Sequence, residues 1–264
     1  MPKKIAKEQK GFVPQPVDYK LLNSLYRFKY LDLAFIGKNI YTDINGRYDL
    51  TKRINELVKE NLVIKFSYVK NKLDIIDSII YTLTAEGFEL AQNKYDWSTF
   101  DELGSKYLRQ GYEHNIIIAN FLYDYKKLDP GGEIFDEKSS YHSYQVDGEK
   151  RSRIIRPDGA YFTSEGYLFL IEYEHSNDRR DLRRKLNRYN DYILNKRYLE
   201  CGSYDNILDR IKYVTVLLVT SEDMTRTTIK NIQSLNLGYQ LLTTTVHKWI
   251  DNPKSDIYYD VKSM

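Results

Sequence analysis

A short stretch, RPDG at 156–159 followed by LIEYE at 170–174, constrains the fold more than any other part of this chain. Residues 154–163 and 167–175 are rich in β-branched and aromatic side chains, and Ser164-Glu165-Gly166 between them is turn material. A hairpin closed symmetrically about Glu165 sets Thr163 against Tyr167, and each outward step then brings Asp158 opposite Glu172. Side chains alternate along a strand, so Glu172 and Glu174 share a face with Leu168 and Leu170. Three carboxylates converge where a sheet face should be apolar. Like charges so close repel unless a cation lies among them. Mg²⁺ or Mn²⁺, which prefer oxygen ligands, are the natural occupants of a site made by Asp158, Glu172 and Glu174. The competing reading is a hairpin whose acidic face is solvated.

The segment after the hairpin bears on that choice. The spacing of Leu182, Leu186, Tyr189 and Ile193 predicts a helix over 177–198, started by Asn177 or Asp178. Between 177 and 197 it carries eight Lys/Arg against three Asp. Arg179, Arg180, Arg183, Arg184 and Arg188 offer contacts to a phosphate backbone. Lys185 flanks the apolar stripe, from where it can reach back towards the carboxylates. A strand Asp, a strand Glu-x-Glu and a helix with an inward Lys match the PD-(D/E)xK nuclease pattern. There carboxylates hold a metal and a lysine orients or activates the attacking water. The expected catalytic set is Asp158, Glu172, Glu174 and Lys185. Tyr173 and Tyr189 lie near it in sequence and read as packing residues.

RPDG at 156–159, IEYE at 171–174, and Lys185 with Tyr189 in the next helix resemble the replication-relaxation proteins of plasmids and mobile elements. The resemblance runs from about Asp18 to the end of the basic helix, and an isolated His114 also fits it. It implies a DNA-binding winged helix fused to a restriction-endonuclease-like domain, acting in plasmid mobilisation as a relaxase or in plasmid replication. One position departs from the nuclease pattern. Two residues after Glu172, where a lysine is expected, stands Glu174. Activity then depends on Lys185 as a migrated lysine, or the domain is silent.

The order of elements supports the same division. Residues 1–17 read as a flexible basic arm with prolines at 2, 14 and 16. Two short helices at 18–28 and 31–40, a helix at 48–61, strands at 63–69 and 78–83 and a helix capped by Thr84 give the order of a winged helix-turn-helix over 18–95. Residues 1–95 hold sixteen Lys/Arg against eleven Asp/Glu. In such a domain the third helix enters the major groove and the wing touches the backbone. Arg47, Tyr48, Thr51, Lys52 and Asn55 are the candidates on the helix, with Lys70 and Lys72 on the wing. A winged helix used for protein contact is the alternative.

Beyond a polar connection at 96–103, the region 104–264 reads as a helix at 106–125, strands at 133–135 and 141–146, the acidic hairpin, and the basic helix. A buried strand at 211–220, a helix at 226–235 and a strand at 239–246 complete it. This is the αβββαβ order of restriction-endonuclease-like folds, so the expected class is α+β.

Composition narrows the remaining chemistry. The formal net charge is only +3 over 264 residues, so a nucleic-acid surface must be local. One cysteine, Cys201, excludes a disulfide framework and a cysteine zinc site and suits a reducing cytoplasm. No secretory signal or membrane span is apparent. The four histidines form no His-x-His pair, which disfavours relaxases that hold a metal by a histidine cluster. P-loop and GxSxG motifs are absent. The expected partner is double-stranded DNA, including nicked or single-stranded origin DNA, with a homodimer left open. The expected chemistry is metal-dependent nicking. The rivals are a DNA-binding regulator whose nuclease-like domain is inactive, and a protein-interaction scaffold.

Overall fold

The computed structural model describes residues 12–70, 75–95, 97, 108–109, 111–146, 148–174, 179–222, 226–251 and 259–260. Packing divides the chain into two compact units, 1–116 and 117–264, so that the division falls inside a helix rather than in the 96–103 connection. The architecture is α+β, with a mixed sheet in the second unit.

The first unit runs α1 (Pro16–Phe28), β1 (Tyr30–Asp32), α2 (Leu33–Asn39), α3 (Arg47–Lys59), β2 (Val63–Phe66), β3 (Ile80–Leu83) and α4 (Ala85–Tyr95). Its three strands are antiparallel in the order β1-β3-β2, with Tyr30 opposite Thr82 and Val63 opposite Leu83. Strand β1 replaces the start of the helix expected at 31–40, because Leu31 and Leu33 also fit the apolar period of a longer helix. A positive φ of 65° at Lys29 ends α1 and starts the strand. Asp32 then stops it, its side chain accepting a hydrogen bond from Phe35 N at 2.8 Å to cap α2. Leu21, Leu22, Leu31, Ile36, Ile54, Leu57 and Ile80 form the buried interior.

Thr84 caps α4 as its sequence suggests, accepting from Gly87 N at 2.9 Å. Gly87 permits a close approach, since a Cβ there would lie 2.1 Å from the Leu62 carbonyl oxygen. On helix propensity alone, Gly87→Ala should stabilise α4 by about 1 kcal/mol. The clash should reverse that sign, and urea denaturation should show a loss of about 1–3 kcal/mol. A more stable variant would mean that α4 packs less closely on residue 62.

The second unit receives α5 (Tyr112–Leu128) and continues with β4 (Glu133–Asp136), β5 (His142–Tyr144), β6 (Arg153–Ile155), β7 (Gly159–Phe162), β8 (Tyr167–Glu174) and α6 (Arg179–Leu194). Three single 3₁₀ turns lead to β9 (Tyr213–Thr220), α7 (Arg226–Gln233), β10 (Gln240–Thr245), α8 (Val246–Asp251) and β11 (Tyr259–Asp260). The main sheet has the order β11-β10-β9-β8-β7-β4, in which β8, β9 and β10 are parallel and the outer strands antiparallel. Helices cover both faces. Leu168, Leu170, Ala160 and Phe162 pack with Leu182, Leu186 and Tyr189 of α6. On the other face Tyr125 of α5 meets Tyr161 and Phe169, and a Cβ on Gly159 would lie 2.9 Å from Leu122.

Residues 154–163 are not one strand. Pro157 has no N–H to give a ladder, and the chain leaves the sheet between Ile155 and Gly159. Strand β6 pairs instead with β5 in a separate two-stranded ribbon, and β7 joins β4 and β8.

Candidate active site

The β7–β8 hairpin has the register read from its turn. Gly159 pairs with Ile171 and Phe162 with Leu168, and Thr163 N donates to Tyr167 O at 2.8 Å. One residue before β7, Asp158 lies opposite Glu172, its N–H donating to Ile171 O at 3.0 Å. Its carboxylate is held in turn by the backbone N–H of Tyr173, at 2.8 Å from Oδ2. Glu172 points to the face covered by α6 and is 1 % exposed. That face carries Leu168 and Leu170 in the core, as strand alternation requires.

Helix α6 completes the cluster. Leu182, Leu186 and Tyr189 lie in the core, and Tyr239 OH, just before β10, donates to Leu186 O at 2.9 Å, which fixes the helix in place. Lys185, one turn before Tyr189, directs its ammonium between the two acids. Its Nζ lies 3.7 Å from Asp158 Oδ2 and in direct contact with Glu172 Oε2. Tyr189 OH donates to the other Glu172 oxygen, Oε1. The structure thus brings together Asp158, Glu172 and Lys185 from the expected set, and adds Tyr189, which does more than pack. Its position four residues after Lys185, hence on the same helix face, is the signal in the sequence.

Glu174 stands apart from this cluster. It is half-buried and adds to the negative field on Lys185. Among the described residues no three His, Cys, Asp or Glu side chains are arranged to hold one ion. The expected three-carboxylate ion site is therefore not assembled.

Electrostatics follow from burial and from charge balance. Burial, and then the Asp158 carboxylate, hold the Glu172 carboxyl well above the usual range, while Lys185 and Tyr189 pull it down. Burial works against the charge on Lys185, but Glu172 and Asp158 outweigh it and push its pKa up. Burial and the same Glu172 carboxylate push the Tyr189 hydroxyl far up, so it acts as a donor and not as a phenolate. Two carboxyl groups thus share the Lys185 ammonium, Glu172 buried and Asp158 half-buried. A metal fits this set in part. Asp158 and Glu172 are oxygen donors facing one another, and buried Glu172 Oε2 receives no aligned hydrogen bond, although the Lys185 ammonium touches it.

Glu172, Lys185 and Tyr189 of the cluster line a cleft of about 910 Å³. One wall is α6, with Arg183, Arg184 and Arg188. The other is β6 and the residue after it, with Arg153 and Arg156. The helix arginines are legible in the sequence and the strand ones are not, because only the ribbon brings them across from α6. Of Arg180, the side chain lies outside the described residues.

In the first unit, Tyr48, Thr51, Lys52 and Asn55 line one groove along α3, opposite the buried Leu50, Ile54 and Leu57. Asn55 Oδ1 accepts from Lys65 at 3.3 Å. Arg47 behaves otherwise. It makes a two-pronged ion pair with Asp77, at 2.5 and 3.0 Å, and so braces the start of α3 against the loop that precedes β3. The Arg47 side chain stays 59 % exposed in this pair. The Lys70 carbonyl accepts from Tyr112 OH at 3.2 Å, and Lys72 lies outside the described residues.

No family model and no curated protein matches the sequence. Among solved structures, the small subunit of the heterodimeric restriction endonuclease R.BspD6I is similar at 10 % identity and a TM-score of 0.32, over 53 % of this chain and 66 % of that one. Restriction endonuclease FokI is similar at 10 % identity and a TM-score of 0.35, over 89 % of this chain and 43 % of its own. Its DNA-bound structure gives 12 % identity and a TM-score of 0.32 over the same shares. The chain spans less than half the length of FokI. At these scores the likeness does not define a fold family.

Proposed function

We propose that this chain is a DNA-binding protein of replication-relaxation type that nicks a cognate plasmid or mobile-element origin in a metal-dependent reaction. The observation that carries the proposal is the Asp158–Glu172 pair with Lys185 against it, where Glu172 and Lys185 line a cleft walled by arginines. A structural ion pair needs one acid for each base. A second acid, opposite the first and held by a backbone N–H, makes an oxygen-donor pair around that one base.

In this reading Asp158 and Glu172 hold Mg²⁺ or Mn²⁺, which supplies a water of lowered pKa and a counter-charge for the scissile phosphate. Lys185 neutralises charge on the phosphate. Tyr189 orients the Glu172 carboxylate, and Glu174, further along the strand, orients water. The first unit, whose order α1-β1-α2-α3-β2-β3-α4 agrees with a winged helix, supplies duplex affinity through Tyr48, Thr51, Lys52 and Asn55. A second reading, a DNA-binding regulator with a silent nuclease-like domain, draws on the same geometry. The Lys185 ammonium already contacts the oxygen that a metal would need.

Nicking of supercoiled plasmid carrying a cognate origin, with Mn²⁺, separates the two. Asp158→Asn or Glu172→Gln should eliminate nicking and leave duplex affinity nearly unchanged, because different units bind and cut. Mn²⁺ should also raise the Tm of the wild type, and Asp158→Asn should remove that response. Wild-type protein that binds DNA and Mn²⁺ yet nicks nothing establishes the regulator. Among the described residues no helix is long and apolar enough to cross a membrane.

A further inference from the structure

Among the described residues the β5–β6 ribbon pairs with no strand of the main sheet, yet it has a fixed place. His142 and Tyr144 pack their rings on Tyr192 of α6, and Ile155 is in the core. Alternation then sends Ile154 outward, 47 % exposed, beside Arg153 and Arg156 on the cleft wall. Both arginines are tethered to acids. Arg153 pairs with Glu149 and lies 3.3 Å from Asp191, while Arg156 lies 2.8 Å from Glu137. These pairs are partly solvated, and such pairs contribute little to stability. They do hold the guanidinium groups at the rim of the cleft.

From this arrangement we infer that the β5–β6 ribbon is a clamp for a nucleic-acid strand, gripping the sugar–phosphate backbone across the cleft from α6. The inference rests on the nucleic-acid reading of the cleft given above. Arg153 and Arg156 exchange their carboxylates for phosphates as the strand enters, so Glu149 and Glu137 compete with the ligand. Arginine suits the task because its planar fork pairs with either group in the same geometry. Exposed Ile154 among the cations meets the sugars and base faces that an unpaired strand presents and a duplex hides.

The test is binding of the full chain to a labelled oligo-dT strand of about 20 nucleotides, in EDTA and across a salt series. Oligo-dT offers no major groove, so the contribution of α3 is small, and EDTA removes any cleavage. Arg153→Glu with Arg156→Glu should weaken binding by at least about tenfold and reduce the slope of log K against log salt by about 1.4, or 0.7 for each lost phosphate contact. Glu137→Gln with Glu149→Gln should tighten binding severalfold, an effect that a purely structural role for these pairs does not produce. Equal affinity and equal slope in the arginine variant, with wild-type circular dichroism, overturn the clamp. So does weaker binding by the glutamine variant. Loss of nicking alone leaves the clamp standing, and loss of strand binding alone leaves the metal site standing.

Discussion

Lys185→Met should cost the second unit about 3–5 kcal/mol, the penalty for stranding the buried Glu172 carboxylate without its cation. Glu172 is 1 % exposed and has Asp158 beside it, so its carboxyl is poorly solvated once the ammonium is gone. Methionine keeps most of the lysine stem's packing, which isolates the charge. Adding Glu172→Gln to Lys185→Met should recover at least about half of the loss, because the remaining Asp158 is held by a backbone N–H. Chemical denaturation of the four proteins in this cycle gives the coupling directly, and additive effects would mean that Lys185 and Glu172 do not interact. The pH dependence has a definite sign. Glu172 has a folded pKa above its unfolded value of about 4.3, so the folded state holds the extra proton and stability falls as pH rises from there through the raised value. Lys185→Met should widen that window.

A loss of similar size is expected in the first unit from Asp18→Ala. Asp18 is fully buried and gathers three parts of the fold. It accepts from Gln15 N at 2.6 Å, which closes the start of α1, and from Tyr41 OH at 2.6 Å beyond α2. It also holds the Arg53 guanidinium of α3, through Nε at 3.2 Å and a second, closer contact. Alanine leaves Arg53, 15 % exposed, with the solvated Glu56 as its remaining acid and the Phe12 ring against its guanidinium. The cost should be about 3–5 kcal/mol in urea denaturation. Because Arg53 ties α3 to α1, duplex DNA binding should fall with stability. A loss below about 1 kcal/mol would show that this network is not what joins α1 to α3.

The features legible in the sequence are those written in local periodicity. The turn at 164–166 and the two-residue alternation on either side suffice to set Asp158 against Glu172, because a hairpin's register follows from its turn. The three-to-four spacing of Leu182, Leu186 and Tyr189 likewise fixes which face of α6 meets the sheet, and with it the side on which Lys185 emerges. Tertiary structure decided the rest. Strand β1 exists because β3, some fifty residues later, offers it a partner. The ribbon that carries Arg153 and Arg156 to the cleft depends on where β5 and β6 pack against Tyr192. Arg47 and Asp77, thirty residues apart, and Asp18 and Arg53, thirty-five apart, are ordinary charges until the chain closes and sets each pair together. Glu174 shows the same limit from the other side, sharing a strand face with Glu172 while remaining outside the cluster. Periodicity gives the direction of a side chain, but which group waits at the end of that direction is settled only by chain closure over long separations.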